Sequence, residues 1–138
     1  MAEQQNLQVV RAAFERLGAM DMDGFTALLA DDVAWETPGP TDVLPFAGTH
    51  TGPQAVAAWF RKMNELEEVQ QFEPEDFLAK DDKVVVLGHS RVKVRATGQV
   101  LDDHWFHLYT VRDGHITHFR EAYDTAAEVA AHQAPSGR

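Results

Sequence analysis

Residues 100–124 read VLDDHWFHLYTVRDGHITHFREAYD, and this stretch decides the fold. Apolar and polar residues alternate on both sides of Arg112-Asp113-Gly114. Such alternation is typical of half-buried strands, and Asp-Gly is a strong signal for a tight turn between two of them. The stretch therefore predicts a β-hairpin of two long antiparallel strands, the first of which is Val100–Val111.

The length of the turn decides which side chains of the hairpin share a face. A three-residue loop, with Gly114 in the left-handed conformation, pairs Val111 with His115. We prefer this loop because it gives one face two aromatic residues and two acid/base groups per strand. The pairs on that face are then His107 with Phe119, Trp105 with Glu121, and Asp103 with Tyr123. A two-residue Asp-Gly turn shifts the pairing by one residue and mixes the two faces.

Further strands are predicted upstream of the hairpin. Lys83–Arg95 alternates between valines and polar or charged residues, and Thr97-Gly98-Gln99 turns the chain into the hairpin. Gln70–Leu78 is a strand in which Pro74 marks an edge or a bulge. Val33–Thr37 alternates as a short first strand.

Helices are predicted before, between and after the strands. The first helix has its apolar residues at helical spacing, at Leu7, Val10, Phe14 and Leu17. In the second, Asp21 or Asp23 precedes Phe25, Leu28 and Leu29. Capping boxes at Thr51-Gly-Pro-Gln54 and Thr125-Ala-Ala-Glu128 begin the third and the last helix. The proline-rich and glycine-rich stretch 38–53 is predicted to be a loop, which in a compact domain is often functional.

This order of elements predicts an α+β domain with helices on one face of a curved, mainly antiparallel sheet. A cavity is expected between the concave face and the helices. The 138 residues suit a single domain spanning 1–138, with a core at 6–132 and a flexible tail at 133–138.

Composition excludes several functions. The chain has no cysteine, so disulfides and thiolate metal sites are excluded and a reducing, cytoplasmic location is expected. Its net charge of -10 argues against nucleic acid and anionic lipid as partners. No apolar run approaches the ~20 residues that span a membrane, and the N-terminus lacks the features of a signal peptide.

Three motifs resemble the SnoaL-like branch of the nuclear transport factor 2-like superfamily, which includes proteins related to ketosteroid isomerase. The motifs are LLADDVAWE at 28–36, PFAGTHTGP at 45–53, and YTVRDGHI at 109–116 followed by FREAYDT at 119–125. The resemblance covers residues 6–132. It implies a cone-shaped, cystatin-like fold with a mixed sheet, a deep pocket and a homodimer. It does not imply one reaction, because members of the superfamily are isomerases, polyketide cyclases, epoxide hydrolases, dehydratases and non-catalytic binding domains.

Only some of the catalytic positions of the superfamily hold a side chain capable of acid/base chemistry in this sequence. The tyrosine, base and second oxyanion positions of ketosteroid isomerases fall on Ala13, Thr37 and His107. In epoxide hydrolase-like members, two of the three positions fall near Ser90 and Val92, which cannot do acid/base chemistry, and the third falls on Glu121. The acid/base group of SnoaL-type cyclases best matches His107 or Glu121.

His107 and Glu121 form the leading catalytic pair. In the preferred register they are diagonal neighbours on adjacent strands, about 7–8 Å apart at Cα and within reach of each other. A carboxylate that is hydrogen-bonded to an imidazole fixes its tautomer and raises its basicity, so the pair could move a proton next to a carbonyl or activate a water. The structural alternative is a core His–Glu pair that only orders the wall.

The predicted substrate-binding residues share the concave face or the helices above it. They are Trp35, Trp59, Met63, Asp103, Trp105, Tyr109, Phe119 and Tyr123. Converging tryptophans favour a flat apolar ligand, although aromatic residues at such spacing are often plain core. Tyr109 and Tyr123 either donate to an oxyanion or simply pack, and Asp103 either orients His107 or lies at the pocket rim.

No metal site and no cofactor are expected. Four of the seven histidines, His104, His107, His115 and His118, surround the hairpin, but the alternation sends them to different faces. On the outward face, Phe106, Leu108 and Ile116 with Arg120 and His118 are expected to form a dimer surface that Arg120 bridges. Glu36 is expected in solvent, and Asp124 is expected to cap the last helix.

The sequence thus predicts a cofactor-independent acid/base enzyme of the isomerase, cyclase or hydrolase type. Its substrate is expected to be a small hydrophobic carbonyl or polyketide-like compound in an enclosed pocket. The alternatives are a non-catalytic small-molecule-binding or dimerisation module, and a fold whose pocket is only residual.

Overall fold

A computed structural model describes residues 2–135 as an α+β domain. Its helices are α1 (Ala2–Gly18), α2 (Met22–Thr26), α3 (Pro53–Leu66) and α4 (Thr125–Gln133). Its strands are β1 (Leu29–Thr37), β2 (Gly48–Thr51), β3 (Glu67–Lys80), β4 (Lys83–Val94), β5 (Val100–Arg112) and β6 (His115–Ala122). Of the predicted tail at 133–138, Gln133 is the last residue of α4, and 136–138 lie outside the described residues.

The six strands form one curved sheet in the order β2-β1-β6-β5-β4-β3. All neighbouring strands are antiparallel except β1 and β6, which run parallel, so the sheet is mixed as predicted. The core lies between the concave face and the helices, where Val10 of α1, Val56 of α3 and Val86 of β4 are fully buried. None of the helices in the described chain is long and apolar enough to cross a membrane.

The hairpin turn differs from the prediction. Arg112 pairs with His115, so the turn has two residues, and both Asp113 and Gly114 adopt positive φ angles (52° and 78°). That conformation fits a type I′ turn, in which each central residue is left-handed. The three-residue loop that pairs Val111 with His115 is therefore wrong.

A bulge nevertheless keeps the predicted faces together. Val111 pairs with Ile116 and Thr110 with His118, so Thr117 is an extra residue in β6. Its hydroxyl donates to the Thr110 carbonyl oxygen at 3.3 Å. One extra residue restores the alternation that a two-residue turn alone would reverse.

The two-residue turn and the bulge together change every predicted cross-strand pair by two residues. His107 lies opposite Glu121 rather than Phe119, and Phe119 lies opposite Tyr109. Trp105 is thus not opposite Glu121, and Asp103 is not opposite Tyr123, because β6 ends at Ala122. Ile116, predicted on the outward face, is fully buried beside the bulge.

Both predicted capping boxes are wrong. Gly52, which has no side chain to make a cap, is the N-cap of α3. Thr51 belongs instead to β2, a strand within the predicted loop. At α4, Asp124 is the N-cap and accepts a hydrogen bond from the Ala127 backbone N–H, as expected for Asp124. Glu128 is therefore not part of a capping box, and its carboxyl is buried.

Other boundaries shift without changing the topology. Asp21 caps α2 as predicted, but the helix ends at Thr26 and Leu29 already belongs to β1. Strands β1 and β3 are longer than predicted. The pairing of β3 with β4 shifts between Pro74 and Asp76, which confirms the predicted bulge at Pro74.

Candidate functional site

His107 and Glu121 sit directly opposite each other on β5 and β6. His107 is buried at 8% exposure, and Glu121 is half-buried. None of the side-chain hydrogen bonds described within 2–135 joins the two groups, so the predicted imidazole–carboxylate hydrogen bond is wrong. Each group is instead held by a different neighbour.

The His107 imidazole is packed among aromatic rings. It stacks on Trp105 at 4.0 Å and meets the edge of Phe119 at 4.8 Å between ring centroids. Its Nδ1 lies 3.2 Å from the Tyr109 hydroxyl oxygen. Burial lowers the pKa of His107 to about 3, because the interior disfavours the charged imidazolium. His107 is therefore neutral at physiological pH.

The Glu121 carboxyl is anchored by β1. The Thr37 hydroxyl donates to Glu121 Oε2 at 3.0 Å. Burial raises the pKa of Glu121 to about 7, with a further rise from the charge of Glu128 and an opposing effect from the Thr37 hydrogen bond. A carboxyl with this pKa exists in both protonation states near neutral pH, which suits a general acid/base.

The tryptophans contact the aromatic rings around this pair, while their predicted convergence on one cavity stays a prediction. Trp35 stacks on Phe119 at 3.9 Å, because the parallel β1–β6 register places the two residues side by side. Trp59 lies 5.8 Å from Trp35 and donates its indole N–H to the Phe46 carbonyl oxygen at 2.9 Å. Met63 is half-buried against the same core.

Two indole nitrogens of this cluster are buried without a partner. Within the described chain, neither Trp35 Nε1 nor Trp105 Nε1 has a hydrogen-bond acceptor. An unsatisfied buried N–H costs about 1–3 kcal/mol relative to a satisfied one. A ligand with carbonyl or hydroxyl oxygens could supply the missing acceptors.

Two phenylalanines cover the buried imidazole. The Phe72 ring stacks on Trp105 at 4.8 Å with an interplanar angle of 12°. The Phe14 ring from α1 lies parallel to His107 at 6.1 Å. Phe72 remains 44% exposed, so it lies between the interior aromatic rings and solvent.

The enclosed apolar pocket stays a prediction. One hollow, of about 730 Å³, lies by the start of α1 and the two hairpin turns, and its lining includes Glu3, Asn6 and Asp81. A second, of about 120 Å³, lies along β5 and β6, with Val85, Phe106 and Leu108 in its lining. Neither is lined by the predicted tryptophans, which pack against other aromatic rings.

The remaining predicted binding residues lie near the end of β6. The Tyr123 hydroxyl donates to the Pro38 carbonyl oxygen at 3.5 Å, and burial raises its pKa above the usual value. Asp103 Oδ2 accepts from the Asp124 backbone N–H at 3.4 Å and makes no hydrogen bond to His107 in the described structure. Asp103 therefore does not orient His107, and its position at a pocket rim stays a prediction.

The outward face carries an ion-pair network within one chain. Glu36 Oε2 pairs with His118 and lies 3.5 Å from Arg120 Nη2. These partners lower the pKa of Glu36, the hydrogen bond from His118 most of all. Glu36 is thus paired rather than free in solvent, and Arg120 has a partner in its own chain.

A second buried acid/base cluster was not predicted from the sequence. His132 Nε2 lies 2.8 Å from Glu67 Oε2 and 3.3 Å from Glu128 Oε1. Burial raises the pKa of both carboxyls, and proximity to Glu67 helps to raise that of Glu128 to about 9. The i,i+4 spacing of Glu128 and His132 was the available signal, but Glu67 joins them only through the tertiary fold.

Known proteins resemble this chain both in sequence and in fold. The family model of the SnoaL-like domain matches residues 10–119. An NTF2-like protein of Burkholderia xenovorans LB400 is 36% identical, with 95% of this chain and 98% of that chain covered and a TM-score of 0.86. No curated protein matches the sequence.

Two more distant solved structures share the fold. TerC, co-crystallised with polyporic acid, is 23% identical over 94% of this chain and 99% of that chain, with a TM-score of 0.83. A proposed polyketide cyclase of Xanthomonas campestris pv. campestris is 23% identical over 96% of this chain and 100% of that chain, with a TM-score of 0.76.

Proposed function

The chain belongs to the SnoaL-like domain family, and on this premise we propose that it catalyses proton transfer on a small hydrophobic carbonyl or polyketide-like compound. Isomerase, cyclase and hydrolase reactions of this kind all contain such a step. Side chains supply the acid and base, with no cofactor in the reacting step. The proposal is carried by Glu121, a half-buried carboxyl on the concave face whose pKa is raised to about 7.

Glu121 is the proposed acid/base. As carboxylate it removes a proton from the carbon next to a carbonyl, and as carboxylic acid it returns that proton to another atom of the product skeleton. The Thr37 hydroxyl fixes Oε2, so Oε1 is the atom that faces the substrate. Matching the pKa to neutral pH keeps both forms populated during turnover.

His107 is proposed to bind and polarise the substrate carbonyl rather than to give up a proton. Its pKa of about 3 keeps the imidazole neutral. A neutral imidazole can still donate a hydrogen bond to the developing enolate oxygen. The Tyr109 hydroxyl, 3.2 Å from Nδ1, orients the ring.

The ligand is proposed to take the place of the Phe72 ring on Trp105. Phe72 already shows that a flat aromatic group can stack there, at 4.8 Å and nearly parallel. Because Phe72 is 44% exposed, its side chain can swing outward at a small loss of buried area. Polyporic acid, the compound co-crystallised with TerC, belongs to the aromatic compounds to try first.

The close packing of the concave face favours one alternative, a non-catalytic binding module. Trp35 and Phe119 stack at 3.9 Å, which leaves no space between their rings for a substrate. A module of this kind would bind the same flat compounds through Trp105 without turning them over.

We also propose a homodimer formed through the convex face. Phe106 is 57% exposed, and its cross-strand partner Leu87 and its neighbour Leu108 are half-buried on the sheet. The hollow of about 120 Å³ beside these residues would be filled in such a contact. Isologous dimers bury such exposed apolar residues in pairs.

The test combines binding and exchange. Tryptophan fluorescence quenching identifies ligands in a panel of polycyclic ketones and hydroxyquinones, polyporic acid among them. Proton–deuterium exchange is then followed by NMR for each bound ligand that carries a C–H bond next to its carbonyl. Wild type is compared with Glu121→Gln, and Glu36→Gln serves as the matched control because Glu36 lies on the neighbouring strand but on the outward face.

Exchange that is lost in Glu121→Gln and kept in Glu36→Gln supports the enzyme. Binding without exchange in wild type favours the module. Equal exchange rates in wild type and Glu121→Gln overturn the assignment of Glu121.

A further inference from the structure

We propose that Glu67, Glu128 and His132 form a binding site for a divalent transition-metal ion, Zn²⁺ in the first place, where α4 packs on the sheet. One ligand-type atom from each residue lies within 4.8 Å of the others. Among residues 2–135 this is the only such group of three. The proposal does not depend on the proposed function, since none of the three residues is assigned a contact with the substrate; Glu128 only adds to the raised pKa of Glu121.

The three ligands are held by different parts of the fold. Glu67 is the first residue of β3 and ends α3, where its backbone N–H donates to the Met63 carbonyl oxygen. Glu128 and His132 are one turn apart on α4, so their side chains project from the same helix face. The Thr97 hydroxyl donates to the Ala131 carbonyl oxygen at 2.8 Å and ties this part of α4 to the body of the domain.

The distances suit a small cation. His132 Nε2 is 2.8 Å from Glu67 Oε2 and 3.3 Å from Glu128 Oε1. Ligand atoms about 2.0–2.2 Å from a tetrahedral Zn²⁺ lie roughly 3.3–3.5 Å apart. The side chains therefore need to move by only a few tenths of an ångström to ~1 Å to receive the ion.

Burial and charge also favour a cation. Glu67 is 3% exposed and Glu128 7% exposed. Among the described residues, no lysine or arginine lies within ion-pair distance of either carboxyl, and His132 is the partner of both. The raised pKa values of these carboxyls mean that the pair keeps a proton at neutral pH, and a divalent ion would displace that proton on binding.

The donor set selects the class of ion. Imidazole nitrogen with carboxylate oxygen suits Zn²⁺ and similar transition metals, whereas Mg²⁺ and Ca²⁺ prefer oxygen alone. Three protein ligands leave a fourth tetrahedral position for water. The bound ion would fix α4 against the start of β3.

Other histidines of the chain do not offer such a site. His118 pairs with Glu36 beside Arg120 on the outward face, where the guanidinium opposes a cation. His104 and His115 are exposed. His118 therefore provides a matched control, an imidazole beside a carboxylate that should not bind metal tightly.

The full chain, freed of metal with a chelator and dialysed, is titrated with ZnCl₂ by isothermal titration calorimetry. We expect one ion per chain. His132→Ala should raise the dissociation constant for Zn²⁺ by more than about 100-fold. His118→Ala should leave it unchanged. Absence of saturable 1:1 binding in wild type, equal binding in His132→Ala, or loss of binding in His118→Ala would each overturn the proposal.

A measurement on wild type covers the case in which His132→Ala does not fold. Co²⁺ is added to the ¹⁵N-labelled chain, and paramagnetic broadening of backbone amides is mapped by NMR. The amides around 67 and 128–132 should broaden first. First broadening around 104, 115 or 118 would contradict the site.

Discussion

His107 and Glu121 face each other across β5 and β6, yet each is hydrogen-bonded to a different residue, Tyr109 and Thr37. Burial acts on the two groups in opposite directions, lowering the pKa of the imidazole to about 3 and raising that of the carboxyl to about 7. Both shifts favour the neutral form. The face therefore holds one neutral hydrogen-bonding group and one group that titrates near neutrality, which divides the proposed roles.

Replacing Glu121 by Gln should remove the acid/base while preserving the shape of the side chain and its contact with Thr37. General acid/base catalysis typically contributes 10²–10⁴-fold, so exchange next to the ligand carbonyl should slow by roughly that factor. Binding measured by tryptophan quenching should change by less than about tenfold. A large loss of binding with an unchanged exchange rate per bound ligand would assign Glu121 to binding instead.

The stability of the fold should depend on pH through Glu121. Its pKa is raised from 4.5 in the unfolded chain to about 7, with Glu67, Glu128, Tyr109 and Tyr123 as its titratable neighbours besides His107. Between these two pH values the unfolded chain loses the proton that the folded chain keeps, so the free energy of unfolding falls as pH rises. Below 4.5 this contribution is fully present.

Glu121→Gln cannot lose that proton. Urea unfolding should therefore show that Glu121→Gln becomes more stable relative to wild type as pH rises from 4.5 to 7. A difference between the two proteins that does not vary with pH would contradict the raised pKa.

Removing Phe72 should open the stacking position on Trp105. Phe72→Ala is expected to speed the binding of flat aromatic ligands in stopped-flow tryptophan quenching, because no side chain must first leave the ring. Phe106→Ala, which removes an exposed phenylalanine from the opposite face, is the control. Slower or unchanged association in Phe72→Ala would place the ligand elsewhere.

Gly88 leaves space for the Trp105 ring, which lies over Gly88 on the neighbouring strand β4. A methyl group on Gly88 would lie 2.2 Å from the Trp105 ring and 2.7 Å from the Glu73 carbonyl oxygen. Gly88→Ala should therefore destabilise the fold by about 1–3 kcal/mol in urea unfolding, as overpacking usually does. Gly18→Ala meets no atom within 4 Å and should change stability by less than about 1 kcal/mol.

The proposed dimer depends on an apolar contact at Phe106. Phe106→Glu should convert a dimer to a monomer in sedimentation velocity experiments, because two copies of the charge would meet across a two-fold contact. Met20→Glu, at a position that is 92% exposed and outside the sheet, serves as a control for added charge. A wild-type chain that sediments as a monomer at micromolar concentration would contradict the dimer.

Most of the architecture was predictable, because it depends on local patterns. The alternation in 100–124, the Asp-Gly turn and the proline bulge all indicate strands or turns from nearby residues alone. The register of the hairpin was not predicted, although the buried Ile116 and Phe119 are three positions apart instead of two, which is the mark of the extra residue at Thr117. Without that bulge, the two-residue turn would place Arg120 instead of Glu121 opposite His107.

The site was predictable only for residues that a single hairpin brings together. Thr37 reaches Glu121 through the parallel pairing of β1 with β6, a contact between residues 84 positions apart in sequence. Glu67 meets His132 across 65 positions. Neither partner could be chosen from one sequence, since many polar residues are equally distant along the chain.

A direct measurement of the pKa of Glu121 decides whether this carboxyl can act as the acid/base at neutral pH. The chain is labelled with ¹³C at glutamate side chains, and the carboxyl resonance of Glu121, assigned by its loss in Glu121→Gln, is followed by NMR from pH 3 to 9. A midpoint near 7 is the expected result. A midpoint near 4.5 would mean that the carboxyl is solvated and ionised at neutral pH, and the assignment of Glu121 as the acid/base would be wrong.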